Sequence, residues 1–139
     1  MSIKERQEEV IEEFAMFDDW MDKYEYLISL GKELPLIAED KKVDKNLIKG
    51  CQSRVWLDAA LEDGKIQFTA DSDAIITKGI ISLMVRVLTD SSPEEIANAE
   101  LYFIDEVGLK EHLSPTRSNG LVSMVKQMKL YGIAFQSSK

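Results

Sequence analysis

The only cysteine of the 139-residue chain, Cys51, stands in the stretch Lys49 to Trp56, which reads K-G-C-Q-S-R-V-W. A free cysteine is more often a small buried hydrophobe than a reagent. Its neighbours argue otherwise here, because Gly50, Gln52 and Ser53 are poor companions for a core position. The chemistry open to such a residue is nucleophilic attack by its thiolate, and an ordinary thiol with a pKa near 8.5 is only about 3% thiolate at pH 7. Activation or docking must therefore raise the reactive fraction, and Lys49 and Arg54 are the nearest positive charges in the chain.

The conventional enzyme form of this chemistry pairs the thiol with a base and an orienting group. His112 is the sole histidine and the sole candidate base for a cysteine hydrolase. The further polar positions such an enzyme needs do not occur at recognisable spacing, and a histidine at a surface or helix end is the plainer reading. With one cysteine and one histidine, the chain has no internal disulfide and too few soft ligands for a zinc site or an iron–sulfur cluster of its own. Whatever Cys51 does, it does without a resolving thiol.

The elements that must position this loop are legible on both sides of it. Upstream, Val10, Phe14, Phe17, Trp20, Tyr24, Leu27 and Ile28 recur at helical spacing. Asp18 and Asp19 can cap a restart, so the spacing predicts two helices or one bent helix ending near Leu30, with Gly31 and Pro35 as the stop. Residues 31–50 hold no sustained periodicity and form a long connection. Downstream, two alternating runs, 55–62 and 65–70, flank Asp63-Gly64, the strongest short hairpin signal. Cys51 thus sits in the loop that delivers the chain to a sheet.

Asp71, Ser72 and Asp73 offer capping side chains for a mostly apolar helix from Ala74 to about Leu88, the expected buried centre. Gly79 inside it implies close approach of a neighbouring backbone. Ser92-Pro93-Glu94-Glu95 is a capping box with proline at the first helical position, predicting a short helix through Ala99. Residues 101–108 read equally as an apolar turn or a short helix reaching His112. A last helix is expected from about Ser118 to Phe135. The sum is one α+β domain over residues 1–139, a small antiparallel sheet of one hairpin, with room for one further short strand, packed against helices.

Composition excludes several classes. With 17 basic and 25 acidic residues the net charge is −8, a poor match for the phosphate backbone of nucleic acid or an anionic membrane. The first residues alternate in charge without the apolar core of a signal peptide, and the most apolar run, 74–88, is interrupted by Lys78 and Arg86. A cytoplasmic location is the expectation.

Four segments carry a resemblance beyond these patterns: residues 20–35 (W-M-D-K-Y-E-Y-L-I-S-L-G-K-E-L-P), 50–56 (G-C-Q-S-R-V-W), 70–79 (A-D-S-D-A-I-I-T-K-G) and 112–121 (H-L-S-P-T-R-S-N-G-L). In this order, and over about Phe14 to Phe135, the chain resembles the SufE family of sulfur acceptor proteins. The resemblance implies an α+β fold shared with iron–sulfur scaffold proteins of the IscU type. It implies that Cys51 takes a sulfane sulfur from the persulfide of a SufS-type cysteine desulfurase, stimulates that enzyme, and passes the sulfur to a cluster assembly complex of the SufBCD type. Scaffold relatives carry three cysteines, so one cysteine implies a relay. The pyridoxal phosphate of the reaction would belong to the desulfurase, and this chain would carry no cofactor. Whether such a carrier counts as an enzyme is left open, since its part is a covalent cysteine persulfide on behalf of a partner.

By the same resemblance, Arg117 lies close to the cysteine loop and Asp73 beside it, restraining it by a hydrogen bond or ion pair. Arg54 joins them as a supporting residue. Plain helix capping is the competing role for Asp73, and a surface or capping role for Arg117. The cysteine side chain is expected to tuck inward, shielding a persulfide from water between encounters. The alternative function is a thiol-based regulatory or binding domain that modulates a partner without carrying sulfur.

Overall fold

The structure, a computed structural model, describes residues 2–137. Two N-terminal helices, α1 (Ile3–Ala15) and α2 (Trp20–Gly31), are joined by a short turn, and Asp19 caps the second by accepting the Asp22 N–H. The connection that follows contains two single 3-10 turns, Glu39–Lys41 and Asp44–Asn46. The hairpin of β1 (Val55–Glu62) and β2 (Lys65–Ser72) comes next, then α3 (Ile75–Leu88), α4 (Pro93–Ala97), α5 (Phe103–Val107), α6 (Leu109–His112) and α7 (Pro115–Ser137).

The hairpin pairs Val55 with Ser72 and closes at Glu62 and Lys65. Asp63 and Gly64 both take positive φ, 52° and 78°, as a two-residue turn matched to the strand twist requires. Its inward face buries Val55, Leu57, Ile66, Phe68 and Ala70, and β2 packs on α3. The further strand allowed for by the sequence does not form. Leu36 meets Ala70, Leu47 meets Trp56 and Ser91 meets Ile66 only as isolated bridges, so the sheet has two strands among the described residues. Pro35 lacks an N–H, and the 3-10 turns at 39 and 44 carry the chain away from the sheet edge before a ladder can extend.

Helix α3 is the centre of the core. Ile80, Ile81, Leu83, Met84, Val85, Val87 and Leu88 are all buried, and α1, α2, α7 and β2 pack around them. Gly79 makes the crossing with α2 possible, since a Cβ there would stand 2.3 Å from the Leu27 carbonyl oxygen. Glu13 of α1 ties to the same helix, accepting from Arg86 at 2.7 Å in a two-pronged pair that Tyr26 joins through its hydroxyl.

Two expectations change and one alternative is decided. The Asp71 to Asp73 segment does not cap α3: β2 runs to Ser72, the N-cap position is Ala74, and no side chain bonds there as a cap. In the 101–108 stretch the helix alternative forms over Phe103–Val107, and Gly108, at φ 81°, separates it from α6, which reaches His112. Helix α7 starts three residues earlier than its apolar pattern suggests. Ser114 Oγ accepts the Arg117 N–H at 3.3 Å, and Pro115 occupies the first helical position. Among the described residues no helix is long and apolar enough to cross a membrane.

Candidate functional site

The cysteine loop is fixed at its entry by a glycine that no other residue replaces without strain. Gly50 has φ 93°, and a Cβ there would stand 2.5 Å from Ser123 Oγ of α7. The left-handed backbone turns the chain back, and Cys51 drops onto the first turns of α7. Its Sγ lies 3.6 Å from the Gly120 carbonyl oxygen, a weak S–H contact. Gly120 is the second glycine the site needs, because a Cβ there would come within 3.3 Å of Sγ.

At the exit the loop is tied to the end of β2. The Arg54 N–H donates to Asp73 Oδ1 at 3.1 Å, the Asp73 N–H donates to the Arg54 carbonyl at 3.3 Å, and Ser72 Oγ donates to that carbonyl at 2.8 Å. Of the roles open to Asp73, the structure shows the hydrogen bond, made to the backbone of Arg54 and not to a side chain. The side chain of Ser72 also accepts the Ala74 N–H at 3.3 Å, which helps carry the strand into α3.

Between these two ties a pocket of about 60 Å³ opens beside Sγ. The loop supplies Cys51, Gln52 and Ser53; α3 supplies Thr77 and Ile80; α7 supplies Thr116, Arg117, Gly120 and Met124. In this measure about 10–15 Å³ is enough for one water-sized group, so an extra sulfur atom on Cys51 has room. Cys51 is half-buried, less hidden than expected, and packs on the edge of the core.

The electrostatics of the resting thiol run opposite to activation. Burial pushes the Cys51 pKa up, and no neighbouring cation offsets it. Arg117 does stand in the pocket wall, on the first turn of α7. Arg54 reaches the site through its backbone, and its guanidinium does not line the pocket; Lys49 lines a different groove. The resting arrangement therefore stores the thiol in its protonated, weakly nucleophilic form.

His112 is not a partner of Cys51. Its ring stacks on Trp20 with centroids 3.9 Å apart, its Nδ1 lies 3.0 Å from the Gly108 carbonyl, and it takes no part in the pocket. A hydrolase mechanism has lost its base. Among the described residues no three His, Cys, Asp or Glu side chains gather where a metal ion could be held.

Sequence reasoning passed over Gly120, Ser123, Thr77 and Met124. Gly120 carried a usable signal, since a glycine inside a predicted helix marks close approach, as it did at Gly79. Nothing in the spacing marks the other three.

Comparison with known proteins follows the same lines. The fold matches the solution structure of a hypothetical protein from Thermus thermophilus with a TM-score of 0.78, covering 95% of this chain and 96% of that one at 19% identity. SufE-like proteins of Rhizobium etli and Synechocystis are similar in sequence: 39% identical over 88% of this chain and 86% of theirs, and 38% over 91% and 80%. A third, from Rhizobium meliloti, is 36% identical over 88% and 91%. The model of the SufE family, described as an Fe-S metabolism associated domain, matches residues 8–131 and so takes in the cysteine loop, the hairpin and the first turns of α7. With a match of that extent, and relatives aligned across most of both chains, the protein belongs to the SufE family.

Proposed function

We propose that Cys51 is a sulfur acceptor, charged by transpersulfuration from the persulfide of a SufS-type cysteine desulfurase and discharged to an iron–sulfur assembly complex of the SufBCD type. The observation that carries this reading is the resting place of the thiol: a lone cysteine on a glycine-hinged loop, turned onto Gly120 beside a pocket with space for one more sulfur. Membership of a family associated with Fe–S metabolism supports it.

The chemistry is thiol–disulfide exchange. The Cys51 thiolate attacks the terminal sulfur of the donor persulfide; a new S–S bond forms on Cys51 while the donor's S–S bond breaks, and the donor cysteine leaves as its thiolate. No net oxidation occurs. Because burial raises the Cys51 pKa, the thiolate forms readily only when the loop swings away from α7. Docking on the desulfurase supplies that opening and so couples reactivity to the presence of the donor. Afterwards the loop returns, and the new sulfur lies against Ile80 and Met124, away from reductants. The pyridoxal phosphate stays with the desulfurase, and on this reading the protein works in the cytoplasm, where thiols remain reduced.

In a second reading the domain modulates a partner and Cys51 only senses oxidation; the burial-raised pKa weighs against it, because a sensor thiol reacts as an exposed thiolate. Cys51→Ser separates the two. A carrier loses both the added sulfur and the stimulation of desulfurase turnover, whereas a modulator stimulates as strongly as wild type.

A further inference from the structure

We propose that the groove between the 45–49 turn and α7 is a docking site for an acidic segment of the protein that delivers sulfur to Cys51. This inference rests on the sulfur-acceptor reading and adds to it the surface and charge by which the donor is held.

The groove has a volume of about 340 Å³ and is walled by Lys45, Lys49 and Lys126, with Gln127, Leu130 and Tyr131 along the α7 side. The three lysines are the unusual feature. In a chain of 25 acidic and 17 basic residues, all three face one groove whose lining holds no Asp or Glu. A local concentration of positive charge on a protein of net charge −8 attracts an acidic partner and gives it one favoured direction of approach.

Position ties the groove to the thiol. Lys49 is two residues from Cys51, a span of at most about 7 Å of chain. Ser123, whose Oγ would stand 2.5 Å from a Cβ at Gly50, also lines the groove. A segment seated there touches the hinge of the cysteine loop, so binding and loop opening share one surface. Leu130 is 45% exposed on this side, which leaves a place for an apolar side chain between the acidic ones.

The test compares wild type with Lys45→Glu/Lys49→Glu/Lys126→Glu, with the triple Lys→Gln, and with a control reversal at Lys4, Lys32 and Lys110, which are exposed elsewhere. The probe is the host's cysteine desulfurase with cysteine, and the readouts are binding affinity, its salt dependence, and the sulfur finally loaded on Cys51. Reversal in the groove should weaken binding about tenfold or more at low salt and remove most of the salt dependence. The Lys→Gln triple should fall between, the control should stay within about twofold of wild type, and saturating desulfurase should still load one sulfur. Groove and control reversals with equal effects, or a groove reversal with no effect while wild type takes sulfur, would overturn the docking site and leave the acceptor reading standing. Groove-dependent binding without sulfur on wild type would support the site and overturn the acceptor reading.

Discussion

Gly120→Ala probes the contact that holds the thiol at rest. The added methyl would stand 3.3 Å from Cys51 Sγ and 3.8 Å from its Cα and Cβ, so the side chain must yield by a few tenths of an ångström. The cysteine loop can yield, because it is anchored at Gly50 and Arg54 and not at Cys51 itself. The helix then keeps the gain of replacing glycine by alanine in its interior, about 1 kcal/mol. That corresponds to a rise of about 3 °C in melting temperature for a domain of this size. Sγ meanwhile moves toward solvent and sheds part of the burial that raises its pKa. Each unit of pKa relieved multiplies the thiolate fraction near neutral pH about tenfold. Alkylation with iodoacetamide, followed across pH, should therefore run several-fold faster than wild type at pH 7 with a lowered midpoint. An unchanged rate and midpoint would refute the reasoning, since the thiol would not then be held by its contact with α7.

Three further outcomes follow from the same geometry. Gly79→Ala should destabilise by about 3 kcal/mol in a denaturant titration, because the new Cβ would press on the backbone of Leu27 at 2.3 Å and neither helix can move alone. Glu13→Gln should cost about 1–3 kcal/mol by breaking the paired hydrogen bonds from Arg86. The Arg86 guanidinium holds the Glu13 carboxyl below its usual range, so this contribution is present above the ordinary carboxylate pKa and fades as pH falls through the lowered value; the wild-type and variant stability curves should converge in acid. Cys51 acts with the opposite sign. Its folded pKa is raised, so its contribution is intact below the ordinary thiol pKa and is lost as pH rises through the folded value, and Cys51→Ser should flatten the alkaline limb of the stability curve.

The hairpin, the capped helices and the buried α3 were legible because each is written locally: Asp63-Gly64 fixes a turn, Ser92 to Glu95 fixes a helix start, and the apolar residues of 75–88 cover most of a helix. Gly79 was legible for a similar reason, since its cost within a helix demands a cause. The start of α7 was written in the same code, Ser114-Pro115 repeating Ser92-Pro93, but the apolar periodicity begins only at Leu121 and drew the boundary inward. Asp73 illustrates the opposite case. As a capping residue next to a helix it has one local use, but β2 extends to Ser72, and its carboxylate is spent on the N–H of Arg54 from the opposite strand end. The pocket around Cys51 was least legible, because Thr77, Gly120 and Met124 come from two helices far apart in sequence and meet only through packing. The direction of the thiol pKa was not legible for the same reason: Lys49 and Arg54 are close along the chain, while burial is what pushes it up.

The central claim is that Cys51 carries sulfur. Intact-mass measurement of the protein after incubation with its host's cysteine desulfurase and cysteine tests it most directly. One added sulfur, removed by reductant and absent from Cys51→Ser, is the result expected. A wild-type mass that does not change in the presence of an active desulfurase would contradict it.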